Sequence, residues 1–468
     1  MTKKVVKKLK NKMQKIGIQT IGNATLIAYD NFPIISTDTW LNYDEAYFGS
    51  WGLKFNIPKE VEKDIFNCEY IFFTHGHPDH LNPHSIKKFK NKKILLPDHV
   101  GSRIYKWLRS INYNVHILKD RSWRKLSDKI SVMSIADFNQ DSILLLNINN
   151  KLFINSNDAT IRNCRSFIKK ISNQFNDVYL LSLSGYGDAD MINIFTEQGE
   201  RVNPSAAYKF PVGVILSERA KSLGANNVVP FSSFHRYSRS DSIWAEKYTT
   251  PLDAYEHKFD SKNLNFIKPF SYIDCISKET YNLKLKDNDE PIANPEKYGD
   301  LWSDELSKDD FKKIQNYFLR LELLKDRIGF LNFKVGKKDN NFWINKNIKK
   351  GITFEVPKTS LMKAINYEIF DDLLIGNFMK TTFHGKGINS LYDVDFTPIV
   401  TKYADNGRIF TKEEYKRYLK EYRLRSEGEW LREYFEQKTS QIFRKYVHYD
   451  SNLYKIARKA YNVFKKIS

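Results

Sequence analysis

Thr74-His75-Gly76-His77-Pro78-Asp79-His80 directly follows the apolar run Tyr70-Ile71-Phe72-Phe73. Three histidines and a carboxylate within six residues, at the end of a predicted buried strand, can aim four donor atoms into one pocket. Neutral imidazole is the commonest protein ligand for zinc and iron, and a neighbouring carboxylate allows a second ion beside the first. A lone His-x-His is a weak signal. The pattern His-x-His-x-Asp-His placed after a strand is a strong one, against the plain alternative of a polar turn with chance histidines.

Working outward, residues 16–56 alternate apolar and polar in short runs, which predicts strands joined at Asp30-Asn31. A helix near Pro58–Asn67 precedes strand 69–74. After the histidine loop, His84–Lys90 reads as helical and Lys93-Ile94-Leu95-Leu96 as a strand. The chemistry therefore sits at a strand's C-terminal end, where open α/β sheets place ligands. Strands are predicted at Ile130–Ala136, Ser142–Ile148 and Lys151–Asn155, the last two joined by the turn Asn149-Asn150. Val178–Ser184 and Asn227–Phe231 follow as strands, with a helix over 204–223 capped by Gly224 between them. The expected fold class is α/β, two mixed sheets with helices outside.

Residues 1–15 form a basic N-terminal segment and 16–285 the catalytic domain. The polar, proline-containing stretch 286–300 reads as a linker. An accessory α+β domain spans 301–410, opening with an amphipathic helix at Asp309–Ile328. A basic amphipathic helical tail, 411–468, carries Tyr415, Tyr418, Leu419 and Tyr422 at helical spacing.

The 468 residues are 41% hydrophobic and 14% aromatic, ample for a large core. Cys68, Cys164 and Cys275 are too few and too scattered for a disulfide framework or an iron–sulfur site. No run of ~18 apolar residues predicts a membrane span, and the lysine-rich N-terminus lacks the apolar core of a secretory signal, so the expected location is the cytoplasm. The formal net charge of +20 favours acidic partners, with a small anionic substrate first. The basic ends, which include Lys12, also suit an anionic membrane face or a nucleic acid, against the plainer reading of solvated, packed helices.

Two divalent ions need about seven or eight ligands with a carboxylate between them. His75, His77, Asp79 and His80 supply four, and the rest must come from other strand ends. Asp158 follows the strand Lys151–Asn155 and suits the bridge. His235 follows the apolar strand Asn227–Phe231. Asp137 ends the strand Ile130–Ala136, with Asp141 as runner-up. Tyr186 and Asp188, after strand 178–184, are candidates for the substrate pocket. Arg236, Tyr237 and Arg239, beside His235, are candidates for gripping a phosphate or carboxylate. The stretch Leu374–Gly385 reads as a core strand, which leaves His384 away from the metal.

This order of ligands resembles the metallo-β-lactamase superfamily, over residues 16–260, and Asp38-Thr39-Trp40 is similar to that family's Asp-Pro-Trp element. Within it, His77-Pro78-Asp79-His80-Leu81, the span Leu144–Asp158 and Pro230-Phe231 before His235 resemble the metallo-β-lactamase-like portion of cytidine-monophosphate N-acetylneuraminate hydroxylase. The phospholipase D that releases N-acylethanolamines shares the first motif and looks more distant. The resemblance implies an αββα sandwich. His75, His77 and Asp137 would hold one metal and Asp79, His80 and His235 the other, with Asp158 between them and a bridging hydroxide as the reactive group.

Two departures bear on the chemistry. The family usually has His where this chain has Asp137, and the hydroxylase's paired Cys and His iron–sulfur ligands have no counterpart in this N-terminus. Three carboxylates around two divalent ions shift the metal preference from zinc towards iron or manganese.

The first expectation is a dinuclear metal-dependent hydrolase of a phosphorylated, sugar-nucleotide or glycoconjugate substrate, in which Asp79 or Asp158 orients the nucleophile. The alternative is a di-iron oxygenase of a sugar nucleotide or related small molecule, fed by a separate electron donor. A nuclease is the third.

Overall fold

Why both sheets are buried on both faces is visible in a single strand. In Ser142–Ile148, Leu144, Leu146 and Ile148 point to one side and Ile143 and Leu145 to the other, and all are buried. Period-two alternation with apolar residues on both faces requires cover on both sides. The same split recurs in Tyr70–Phe72 and Lys151–Asn157.

The computed structural model describes residues 15–186, 191–426 and 428–431. One eight-stranded sheet runs in the order Thr280–Asn282, Ser271–Asp274, Ile16–Ile21, Thr25–Asp30, Phe32–Thr37, Tyr70–Phe72, Lys93–Pro97, Asn114–Leu118. It is antiparallel up to Phe32–Thr37 and parallel beyond. A seven-stranded sheet runs Asn265–Phe266, Asn227–Pro230, Val178–Ser182, Lys151–Asn157, Ser142–Ile148, Ile130–Ala136, Arg124–Lys125. Ile18, Leu26, Phe72 and Leu95 of the first sheet meet Val132, Leu144, Phe153 and Val229 of the second in one inner core. Helices Lys59–Asn67, Arg165–Ser172 and Val212–Leu223 bury their apolar residues in the core that covers the outer faces. The fold is an α/β sandwich of the αββα kind.

Several local expectations are met where chain chemistry dictates them. Asn149 and Asn150 both take positive φ, as a tight hairpin turn requires, and Gly224 caps its helix at φ 75°. The helix expected over 204–223 begins only at Val212, because Pro211 cannot continue a helix from before it. His84–Lys90 is a short 3-10 turn, Ser85–Phe89. The helix expected over Asp309–Ile328 stops at Leu319 and resumes as a 3-10 turn, Glu322–Asp326.

A third, five-stranded sheet runs Ile194–Phe195, Lys380–His384, Gly351–Glu355, Phe330–Val335, Lys338–Trp343. It takes one strand from the sandwich portion of the chain, Ile194–Phe195, paired in parallel with Lys380–His384. Its core is aromatic: Phe370 packs against Phe318, Phe354 and Phe396. The stretch Leu374–Gly385 is not one core strand; its first residues end the helix Phe370–Ile375 and only Lys380–His384 is extended.

Residues 286–300, expected as a linker, form a strap fixed along its length. Lys286–Asp287 pairs with Phe55–Asn56, and Ala293 bridges to Arg239. Asp300, fully buried, accepts hydrogen bonds from the backbone and hydroxyl of Ser360 and pairs with Arg239 at 2.8 Å. Polarity marks this stretch as exposed, but its carboxylate is spent on internal partners. No described helix is long and apolar enough to cross a membrane.

Candidate metal centre

Three strand ends and one short strand carry the site to the same rim of the sandwich. Strand Tyr70–Phe72 delivers the histidine loop, and Asp38, at the end of Phe32–Thr37, holds it from beneath. Asp38 is fully buried and accepts from the Thr74 backbone at 2.8 Å, the Thr74 hydroxyl at 2.9 Å and Asn157 Nδ2 at 2.8 Å. This is the structural Asp that the Asp38-Thr39-Trp40 element implied. Asp38, Asn157, Ser232 and Ser233 all hold positive φ, 42°, 38°, 77° and 65°. Such backbone outliers persist where the surroundings over-determine them, and they gather at functional sites.

His75, His80 and Asp158 bring donor atoms within 4.8 Å of one another. Asp158 Oδ2 lies 3.3 Å from His80 Nε2 and 3.8 Å from His75 Nε2, while its Oδ1 accepts from the Ser232 hydroxyl at 3.2 Å. His77 Nδ1 is 2.9 Å from His75 Nε2. Asp79 Oδ2 lies 3.2 Å from His80 Nε2 and also accepts from Asn23, and its Oδ1 accepts from the Tyr47 hydroxyl. His235 sits on the strand His235–Tyr237, which pairs with Trp51–Leu53, and its ring lies flat on the Trp51 indole at 3.4 Å.

The group His75, His80 and Asp158 fits a metal ion. Both ring nitrogens of His235 are buried without a hydrogen-bond partner among the described residues, which costs about 1–3 kcal/mol for each such group unless something binds there. Burial drives His235 down to about 3 and His75 well below the ordinary imidazole value, so both rings are neutral, the form that ligates metal. Burial opposes charge on Asp79 and Asp158 as well, but the field and hydrogen bond of His80 outweigh it and hold both below the usual carboxylate range. Burial likewise works against a proton on His80, yet Asp79, Asp158 and Asp38 raise it well above its ordinary value. The pocket thus calls for positive charge at its centre.

Asp137 is not in the His75, His80 and Asp158 group, and its Oδ2 is buried without a hydrogen-bond partner among the described residues. Its Oδ1 accepts from the backbone of Asn139 and Asp141, closing the loop between Ile130–Ala136 and Ser142–Ile148. An Asp at the first position of such a loop serves its amides. The runner-up, Asp141, is the carboxylate whose charge reaches His77, His80 and Asp158. Gln140, between them, is held by the hydroxyls of Tyr418 and Tyr422 on the helix Lys412–Arg425.

Of the substrate candidates, Arg236 donates to the Asn288 and Glu290 carbonyls. Tyr237 is fully buried and accepts from Asn377. Arg239 is fully buried in ion pairs with Asp241 and Asp300. None of the three lines the cleft beside the site. Tyr186 is half-buried, its backbone amide bonded to Thr250, and it too is not part of that cleft. Asp188 lies outside the described residues, as do residues 1–14, which include Lys12, and 432–468 of the tail. His384 bonds to Thr353, in the third sheet.

Sequence reasoning missed what the C-terminal region contributes. Asp371, on the helix Phe370–Ile375, meets His77, and Asp372 lies beside it, both buried. Lys402, on the π-helical segment Pro398–Asn406, places its ammonium 3.9 Å from Asp141. A pair of acids inside the apolar run Phe370–Ile375 was the available signal, since charged residues are almost never buried without a partner. A cleft of about 1220 Å³ opens from His77, Tyr47 and Asp371. Trp107 and Tyr367 stand on its walls with Lys106 and Lys363.

No family model matches the chain. It is similar to a putative Rieske 2Fe-2S iron–sulfur protein from Mycolicibacterium smegmatis, 26% identical over 102 residues, covering 21% of this chain and 19% of that protein. It is also similar to cytidine monophosphate-N-acetylneuraminic acid hydroxylase from Danio rerio, 24% identical over 132 residues, covering 26% of this chain and 22% of that protein. The chain therefore spans about a fifth of the length of the curated relatives it matches, and the relation is distant. Among solved structures, Igni18, a metallo hydrolase from the archaeon Ignicoccus hospitalis, is similar with a TM-score of 0.35 and 12% identity, over 57% of this chain and 99% of that one.

Proposed function

We propose that the protein is a hydrolase that works with two divalent metal ions, on a phosphorylated, sugar-nucleotide or glycoconjugate substrate that enters by the cleft. The observation that carries this reading is the convergence of His75, His80 and Asp158, together with His235, whose buried ring nitrogens have no hydrogen-bond partner among the described residues. His75 through Nε2 and His77 through Nδ1, with Asp141, would hold one ion. Asp79, His80 and His235 would hold the other, and Asp158 would lie between. When bound, such a pair supplies Lewis acidity and water activated near neutral pH.

The chain's own groups set the stage. Asn157 and Asp38 hold His80 at its Nδ1, which leaves Nε2 facing inward. Asn23 and Tyr47 fix the Asp79 carboxylate from both oxygens. Trp51 seals one face of His235 and keeps water from it. Asp158, anchored at Oδ1 by Ser232, keeps Oδ2 toward the centre, where it can orient a nucleophile and take a proton. Lys106, on the cleft wall, has no ion-pair partner among the described residues and offers its charge to an anionic group.

The oxygen-rich set Asp79, Asp141 and Asp158 favours a second reading, a di-iron oxygenase supplied with electrons by a separate partner. One experiment separates the two. Protein loaded with zinc, manganese or iron is assayed against chromogenic phosphate mono- and diesters under nitrogen and in air, with oxygen uptake followed in the presence of a reductant. Hydrolysis under nitrogen that chelator abolishes is expected. Turnover only with oxygen and reductant would replace the first reading by the second.

A further inference from the structure

The geometry points to Asp371 as a positioning residue for the metal centre, a carboxylate from the C-terminal region that fixes the tautomer and ring angle of His77. The inference rests on the proposed role of His77 as a metal ligand. His77 Nε2 donates to Asp371 Oδ2 at 2.7 Å across 294 positions of sequence. The opposite nitrogen, Nδ1, faces His75 Nε2. A neutral imidazole has one N–H and one lone pair. A carboxylate on Nε2 places the proton there and leaves the Nδ1 lone pair for a metal.

Asp371 is built to stay where it is. It is buried, and its other oxygen, Oδ1, has no hydrogen-bond partner among the described residues, so its charge is spent on the bond to His77. Its neighbour Phe370 is locked in the aromatic core of the third sheet, and the Phe370 amide donates to Asp405. The helix that carries Asp371 is thus anchored outside the sandwich. The sandwich supplies the ligands, and the region beyond residue 300 sets the aim of one of them. Asp372 lines the same cleft as Asp371 and His77.

The test is a cobalt titration of the full chain, following the visible d–d bands and both dissociation constants, with Asp371→Ala, Asp371→Asn and Asp371→Glu beside the parent. Loss of an outer carboxylate on a ligating histidine weakens metal affinity by about 10- to 100-fold. Asp371→Ala is expected to weaken one of the two ions by that factor, to leave the other within twofold, and to alter the bands of the weakened site. Asp371→Glu should restore part of the affinity. Asp371→Asn, which keeps the volume, serves if the alanine variant does not fold, and its bands should shift in the same direction. A folded variant with both affinities and both spectra as in the parent would overturn the role of Asp371 alone. A parent that binds no cobalt would overturn the metal reading and this inference with it.

Discussion

Asp158→Ala is expected to lower turnover by roughly 10³-fold and to strip metal from both positions. Its Oδ2 stands between His80 and His75, so it is the carboxylate placed to be shared. On the proposed two-ion reading, removing it would take a negative charge from between the ions, and a loss of several kcal/mol in the transition state corresponds to that factor. Stability should change little, because the Asp158 side chain lies at the rim with 25% of its surface exposed. Turnover and metal content, measured on the same preparation by a hydrolysis assay and elemental analysis, check both halves. Full metal content in the variant would deny Asp158 the bridging place.

Arg239→Met is expected to be the most destabilising single change near the site, at about 3–5 kcal/mol. The guanidinium is fully buried, pairs with Asp241 and Asp300, donates to the Phe48 carbonyl and lies over the Phe378 ring. Its loss leaves Asp300, fully buried, without a cation partner among the described residues. Arg239→Lys should recover little, since an ammonium cannot reproduce the planar fork. Adding Asp300→Asn to Arg239→Met should return part of the loss, because the orphaned charge goes with it. Urea unfolding of the three variants measures this. A loss below about 1 kcal/mol in Arg239→Met, the size of an ordinary surface change, would mean that the strap is not held by this pair.

What was legible in the sequence was local. The histidine loop announced itself because all its donors lie within one turn after one strand, and a strand end fixes where they point. Asp158 and His235 stand out as candidates for the same reason: each follows an apolar run that reads as a buried strand. Asp137 and Asp141 flank a single loop, and spacing alone does not tell which carboxylate serves the loop's amides, a place that Asp137 Oδ1 takes. Arg236 and Tyr237 follow His235 in sequence, but strand alternation turns Arg236 to the other face and buries Tyr237 beside the histidine ring.

Distance in sequence hid the rest. Asp371 and Lys402 reach the site only through the packing of the third sheet and its helices, which no local pattern encodes. The strap 286–300 reads as a linker because its composition is polar, and composition does not reveal that Asp300 has a buried arginine waiting for it.

This rim is proposed to hold two metal ions. Elemental analysis of the purified full chain, after loading and exhaustive dialysis, tests it most directly. About two ions per chain are predicted for the parent, and a marked loss for His77→Ala at unchanged secondary structure. A parent that retains no stoichiometric metal under those conditions, or a His77→Ala protein that retains both ions, would contradict the account.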